Sequence, residues 1–221
     1  MRLAALAGLD VAPVSLQSAA GKDVLLVERF DRVVTAQGWQ RKLMVSALTL
    51  LQLDEMMARY ASYRDLAELV RSKFNKAPES LRELFSRIVF NVLVGNTDDH
   101  ARNHAAFWDG ERLALTPAYD ICPQPRHGRT ASQAMLIGAD DRSSRIATCI
   151  AAAAYFLLSE QEAVAIVEKQ IICLTEHWTT ICDEAALSEV EGNLLWGNQF
   201  LNPYIFEDLP AGKLQKLAQL R

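Results

Sequence analysis

Asp98, Asn103 and Asp120 have the side-chain types that phosphoryl chemistry uses. Asp98 stands five positions before Asn103 within Gly95-Asn96-Thr97-Asp98-Asp99-His100-Ala101-Arg102-Asn103, and Asp120 closes Leu115-Thr116-Pro117-Ala118-Tyr119-Asp120. Phosphoryl transfer needs a carboxylate near the incoming hydroxyl and hard oxygen ligands for a magnesium ion on the phosphates. One carboxylate can meet the first need, and an amide plus a second carboxylate the second. Other readings stand beside this one. Asp98 after Gly-Asn-Thr suits the cap of a helical turn through Asn103, and Asp98, Asp99, His100 and Asp120 together suit a metal-dependent hydrolase. The spacing alone recurs by chance in many chains, so the elements that carry it matter.

Pro78-Glu79-Ser80 opens the clearest helix, whose apolar positions Leu81, Leu84, Phe85, Ile88, Val89, Val92 and Leu93 keep a 3.6-residue period until Gly95 ends it. Ala105 to Trp108 and Leu113 to Leu115 flank Asp109-Gly110, which predicts a hairpin of open turn length. A helix and a hairpin thus bracket residues 96 to 103. Upstream, Val24 to Val27, Val33 to Thr35 and Trp39 to Leu43 predict two or three strands. Helices are expected from Ser46 to Leu53, from a capping box at Ser62 through Val70, and between Ser143 and Ala186, with a further capping box at Ser159. Ile166, Ile172 and Trp178 are read as core. The expectation is a mainly α-helical chain with a small β element at its start.

Hydrophobic residues make up 50% and charged residues 23% of the 221, the balance of a globular protein. A chain of this size buries roughly 70% of its unfolded surface. The net charge of -4 and the lack of Lys/Arg clusters argue against direct nucleic-acid binding. The N-terminus does not have the pattern of a signal peptide, and the longest apolar run, Ala151 to Leu158, is too short for a membrane span. Cys122, Cys149, Cys173 and Cys182 are far apart and unpaired in sequence, which predicts buried thiols in a reducing cytoplasm.

The longer string around Asp98 resembles the HipA family of bacterial toxin kinases, whose segment runs Asn/Ala-Thr-Asp-x-His-x-Lys/Arg-Asn and then Leu-Thr-Pro-x-Tyr-Asp. Val27-Glu28-Arg29-Phe30-Asp31-Arg32 resembles the family's hinge, and Ala7-Gly8-Leu9-Asp10-Val11 the end of its preceding helix. Protein kinases likewise set a catalytic Asp five residues before an Asn, with a metal-binding Asp beyond a short hairpin. The resemblance implies a kinase-like helical lobe over 46–221, a remnant of the N-lobe and hinge over 1–45, and a β-hairpin in the active site. It implies a serine/threonine protein kinase using ATP and magnesium, with Asp98 as base and His100 orienting the loop or touching phosphate. Asn103 and Asp120 become magnesium ligands. The backbone of Glu28, Arg29 and Phe30 would receive adenine, and Asp31 the ribose. Implied partners are a protein substrate and a helix-turn-helix antitoxin like HipB. Asp99 is read as a capping or solvated carboxylate, His104 and His127 as surface or core-edge histidines, Tyr119 as packing, and Asn96 as a left-handed turn.

The pattern departs from kinases at one point. The ten glycines are scattered, with no Gly-rich phosphate loop, and no Val-Ala-Ile-Lys-like strand supplies the phosphate-pairing lysine. The expectation is therefore a truncated frame, one half of a split kinase, or a non-catalytic remnant that binds a partner.

Overall fold

In the computed structural model, which describes residues 1–126, 128–209 and 212, five strands lie near the start of the chain and helices predominate after them. A short helix, α1 (Arg2–Leu6), precedes β1 (Val14–Ala19), β2 (Lys22–Val27), β3 (Arg32–Thr35), β4 (Gly38–Arg41) and β5 (Leu43–Ser46). β1 and β2 form one antiparallel hairpin, and β3 and β4 another. β5 instead joins β6 (Ala105–Trp108) and β7 (Leu113–Leu115) in an antiparallel sheet ordered β5-β6-β7.

Sequence signals miss β1. Its turn, Ala20-Gly21, holds both residues at positive φ, 52° and 73°, the geometry of a tight hairpin turn in which only the glycine gives a local cue. The run expected from Trp39 to Leu43 divides at Lys42, whose N–H donates to the Asp31 carbonyl at 2.8 Å. Its second part crosses into the sheet beside the candidate site.

The helices are α2 (Ala47–Leu50), α3 (Tyr63–Lys73), α4 (Ala77–Val94), α5 (Ile146–Ala151), α6 (Glu160–Glu184) and α7 (Glu189–Leu195), with 3₁₀ turns at Glu55–Tyr60, Ala153–Phe156 and Pro203–Phe206. Ser62 caps α3 by accepting the Asp65 N–H, and Ser159 and Glu162 form a reciprocal box at the start of α6. The helix expected from Ser46 to Leu53 shortens to α2. Gln52 turns to φ 56°, and Asp54 caps a separate 3₁₀ turn at the Met57 N–H. The stretch from Ser143 to Ala186 also breaks, because Leu157 sits at φ 57° before α6 begins.

α4 packs against α3, α5 and α6. Its apolar positions from Leu81 to Leu93 are all at most 1% exposed. Ile166 is buried, and Trp178 packs on Trp196 and Phe200 with ring centroids 4.9 and 4.6 Å apart. Ile172, expected in the core, is 43% exposed, because it falls on the solvent side of α6. Gly95 ends α4 at φ 71°, where a Cβ would meet the Gln199 carbonyl oxygen at 2.6 Å. Glycine is required there by both backbone and space.

The first two hairpins bury little. Leu25, Val34, Trp39 and Leu43 on β2, β3, β4 and β5 are more than half exposed, large apolar side chains left facing solvent on three separate sheets. Among the described residues no helix is long and apolar enough to cross a membrane. Cys149, Cys173 and Cys182 are buried as expected, whereas Cys122 is exposed.

Candidate active site

The loop after α4 is anchored by buried polar residues. Asn96 is not a simple left-handed turn residue. It is 1% exposed, its N–H donates to the Asn91 carbonyl at 2.9 Å, and its Nδ2 donates to Asn91 Oδ1 at 3.0 Å. Asp99 is neither a cap nor solvated. It is 3% exposed and accepts from Tyr63 Oη on α3, from Asn91 Nδ2 on α4 at 2.8 Å, and from His104 Nε2 at 3.0 Å. Burial alone would raise its pKa, but His104 and the bonds from Tyr63 and Asn91 hold it below the ordinary carboxylate range. Burial, followed by the Asp99 charge, pushes the Tyr63 phenol well above its usual value, so it remains a donor. Because a carboxylate only accepts, the His104 nitrogen facing it carries the hydrogen. His104 is 3% exposed and belongs to the core. His127 lies outside the described residues.

With Asp99 held inward, its neighbour Asp98 is exposed. The Asn103 N–H donates to the His100 carbonyl at 2.8 Å, and its Nδ2 to the Asp98 carbonyl at 3.4 Å. This orientation leaves Asn103 Oδ1 without a hydrogen bond among the described residues. His100 is half-buried, and its Nδ1 is buried with no partner among the described residues. An orphan of that kind calls for a ligand or water.

Asp120 is reached from β7. Thr116 is buried and donates through both N–H and Oγ1 to the Ala105 carbonyl at 3.1 Å. Ala118 pairs with the segment after α1: its N–H donates to the Asp10 carbonyl at 2.7 Å and its carbonyl accepts the Ala12 N–H at 2.9 Å. Tyr119, read as packing, does pack on Phe30 with centroids 5.5 Å apart, and it also donates to the Arg102 carbonyl at 2.7 Å. Asp120 follows at φ 58°, exposed. Left-handed backbone in a non-glycine residue is a strained geometry that concentrates at functional positions.

In the segment read as a hinge, Glu28 donates its N–H to the Pro13 carbonyl at 2.9 Å. Among the described residues the Glu28 carbonyl and the Arg29 and Phe30 N–H groups take no backbone hydrogen bond. Asp31 is 6% exposed, and both of its oxygens are met by Arg29 at 2.6 Å. The Arg29 hydrogen bonds hold the Asp31 pKa below its ordinary value. The Phe30 ring, between Tyr119 and Phe107, ties this segment to the Asp120 side.

Sequence reasoning missed Asn91, Tyr63 and Arg87. Arg87 and Asn91 are polar residues set one turn apart within the run of buried apolar positions from Leu84 to Val94, and that placement was the available signal. The hydrolase cluster does not assemble: Asp99 is consumed in the buried network, and among the described residues no three His, Cys, Asp or Glu side chains gather to hold a metal. The oxygen donors of Asn103 and Asp120, both without a hydrogen bond among the described residues, suit a hard cation such as magnesium.

Among curated proteins the chain is 34% identical over 126 residues to the putative kinase Y4mE of Sinorhizobium fredii, covering 55% of this chain and 30% of that one. It is 26% identical over 137 residues to the serine/threonine-protein kinase toxin HipA of Shewanella oneidensis, covering 55% and 32%. The matched stretches thus span about a third of these relatives. Among solved structures it resembles the Shewanella oneidensis HipA complex with HipB and operator DNA, at a TM-score of 0.73 and 21% identity, over 88% of this chain and 50% of that one. It also resembles the Helicobacter pylori proinflammatory kinase CtkA, at 0.55 and 13%, over 88% and 76%. These likenesses give the fold as HipA-like and kinase-like. Residues 1–178 match the HipA-like C-terminal domain, and the chain belongs to that family.

Proposed function

We propose that this chain forms the catalytic half of a HipA-like kinase that transfers the ATP γ-phosphoryl group to a serine or threonine of a protein. The observation that carries this reading is the placement of Asp98, outside the buried network and bonded through its carbonyl to Asn103 Nδ2. Asp98 accepts the proton of the substrate hydroxyl. Asn103 and Asp120 offer oxygens to magnesium, which when bound neutralises charge on the phosphates. His100, whose buried Nδ1 lacks a partner among the described residues, orients the loop or contacts phosphate in this reading. The open backbone groups of Glu28, Arg29 and Phe30 receive adenine, and Asp31 reaches the ribose once Arg29 swings away.

The Gly-rich loop and lysine that cradle phosphate come, in this reading, from a polypeptide segment outside this sequence. Its seat, in this reading, includes the exposed apolar side chains Leu25, Val34, Trp39 and Leu43, which agrees with relatives about three times the matched length. The Shewanella HipA structure includes HipB and operator DNA, and an antitoxin of that helix-turn-helix kind is the partner we propose here. The site lies in the cytoplasm in this account.

Nuclear magnetic resonance of the chain titrated with Mg-ADP tests the site. Saturable shifts are expected at the amides of Phe30, Asn103 and Asp120. Shifts confined to other surfaces, or none at millimolar nucleotide, would remove the assignment.

A further inference from the structure

α4 is buried at most of its positions, and one of them is a guanidinium only 2% exposed. A cation is kept at such a depth only where its N–H groups are answered. Arg87 Nε donates to Glu83 Oε1 at 2.8 Å, one turn back on the same helix. Its Nη2 reaches off the helix to two carbonyls, Thr116 at 2.9 Å and Asp10 at 3.2 Å. Glu83 Oε1 also accepts the Asp10 N–H at 3.2 Å. One ion pair on α4 therefore holds both backbone groups of Asp10 and the carbonyl of Thr116.

The two gripped segments are the ones that pair with each other next to Asp120. The Asp10 carbonyl also accepts the Ala118 N–H, the Ala118 carbonyl accepts the Ala12 N–H, and Val11 and Ala118 form a parallel bridge. Asp120 is two residues further on, at φ 58°. We infer that Arg87 is a positioning residue for Asp120: it fixes the strap formed by Asp10 to Ala12 against Thr116 to Ala118, and so sets where the Asp120 carboxylate stands. A helix-stabilising role alone would need only Glu83. The two bonds to carbonyls outside α4 argue for the clamp. Lysine can fill the space and keep the charge, but its ammonium does not reproduce a planar fork reaching three oxygens. The clamp is read from geometry alone, whereas its importance for Asp120 rests on the phosphoryl-transfer reading.

The test is site-resolved amide exchange on the whole chain, wild type against Arg87→Lys. Protection of the Ala12 and Ala118 amides is expected to fall about tenfold or more, while Ile171 and Leu174 in α6 stay within about twofold. A uniform loss at all amides would mean that Arg87 only stabilises the fold, and no loss would mean that the clamp does not hold the strap. Either result overturns the inference. If Arg87→Lys does not fold, Glu83→Gln decides, since it keeps Arg87 and is expected to loosen the same two amides by about two- to fivefold. A second arm measures ADP affinity with magnesium and with chelator. The gain from magnesium is expected to shrink about tenfold in Arg87→Lys, with affinity in chelator unchanged. A loosened strap with an unchanged magnesium gain overturns the positioning role. A wild-type chain with no magnesium gain at all counts against the kinase reading instead, and the exchange arm still judges the clamp.

Discussion

Tyr119 donates its phenolic hydrogen to the Arg102 carbonyl at 2.7 Å, so the residue before one proposed metal ligand is bonded to the residue before the other. Burial and the Asp99 charge, opposed by Arg87 and assisted by Asp120, push this phenol up to about 12. The donor is therefore intact across the physiological range. The strut ties the segment before Asp120, itself at φ 58°, to the loop that ends in Asn103.

In a form of the protein with kinase activity, Asp98→Asn is expected to lower turnover by about 10²-fold to 10⁴-fold, the usual contribution of a general base, and to leave nucleotide binding in place. Asp120→Ala should weaken Mg-ATP binding as well as turnover, because in the proposed reading it removes one of the two residues that would hold magnesium. Steady-state phosphorylation and calorimetry on both variants separate these effects. Full phosphorylation by both would refute the roles assigned to Asp98 and Asp120.

The buried network around Asp99 should show itself in acid. The folded pKa of Asp99 is depressed, so its stabilisation is complete above the unfolded carboxyl pKa, about 3.9, and is lost as pH falls through the lower folded value. Removing the carboxylate leaves Tyr63, Asn91 and His104 facing an unanswered site. Asp99→Ala is expected to cost about 3–5 kcal/mol at neutral pH, and to flatten the loss of stability below pH 4. Urea unfolding at a series of pH values checks both points. A neutral-pH difference under about 1 kcal/mol would mean that the network is not the anchor described here.

The parts of this molecule that are legible in its sequence are local. α4 announces itself through the period from Leu81 to Leu93 and the stop at Gly95, the β6–β7 hairpin through Asp109-Gly110, and the loop residues through one contiguous string. What escaped depends on partners distant in sequence. Asp99 looked like a solvated cap because Tyr63, which buries it, lies 36 positions upstream on another helix. Arg87 was passed over because its carbonyl partners, Asp10 and Thr116, lie 77 and 29 positions away. β1 was missed because its residues face mostly solvent, so burial imposed no clear alternation on them.

Gly95→Ala tests the junction that delivers the loop. At φ 71° an alanine pays about 1–2 kcal/mol for its backbone alone. Its Cβ would also meet the Gln199 carbonyl oxygen at 2.6 Å, backbone that cannot rotate aside. The unfolding free energy should drop by more than the backbone figure, with the amides of Asn96 and Gln124 losing protection first, since both bonds flank the turn. A variant as stable as the wild type would show that the end of α4 is freer than its geometry indicates.

The isolated chain, residues 1–221, should bind Mg-ATP poorly and show little or no kinase activity. The reason is electrostatic: the triphosphate carries several negative charges, and these residues include neither a Gly-rich loop nor its lysine partner to answer them. Magnesium held by Asn103 and Asp120, as proposed, would neutralise only part of that charge. In the proposed reading the Glu28 carbonyl and the Arg29 and Phe30 N–H groups would still receive adenine, each hydrogen bond worth about 1 kcal/mol net. Affinity should therefore be measurable and weak, with adenosine losing little relative to ATP. Supplying a segment that carries the loop and lysine should raise ATP affinity far more than adenosine affinity, because only the phosphates gain partners. Calorimetry with both ligands and a radiolabelled-phosphate assay decide the matter. Micromolar ATP affinity with robust transfer by the chain alone would show that residues 1–221 cradle phosphate by themselves.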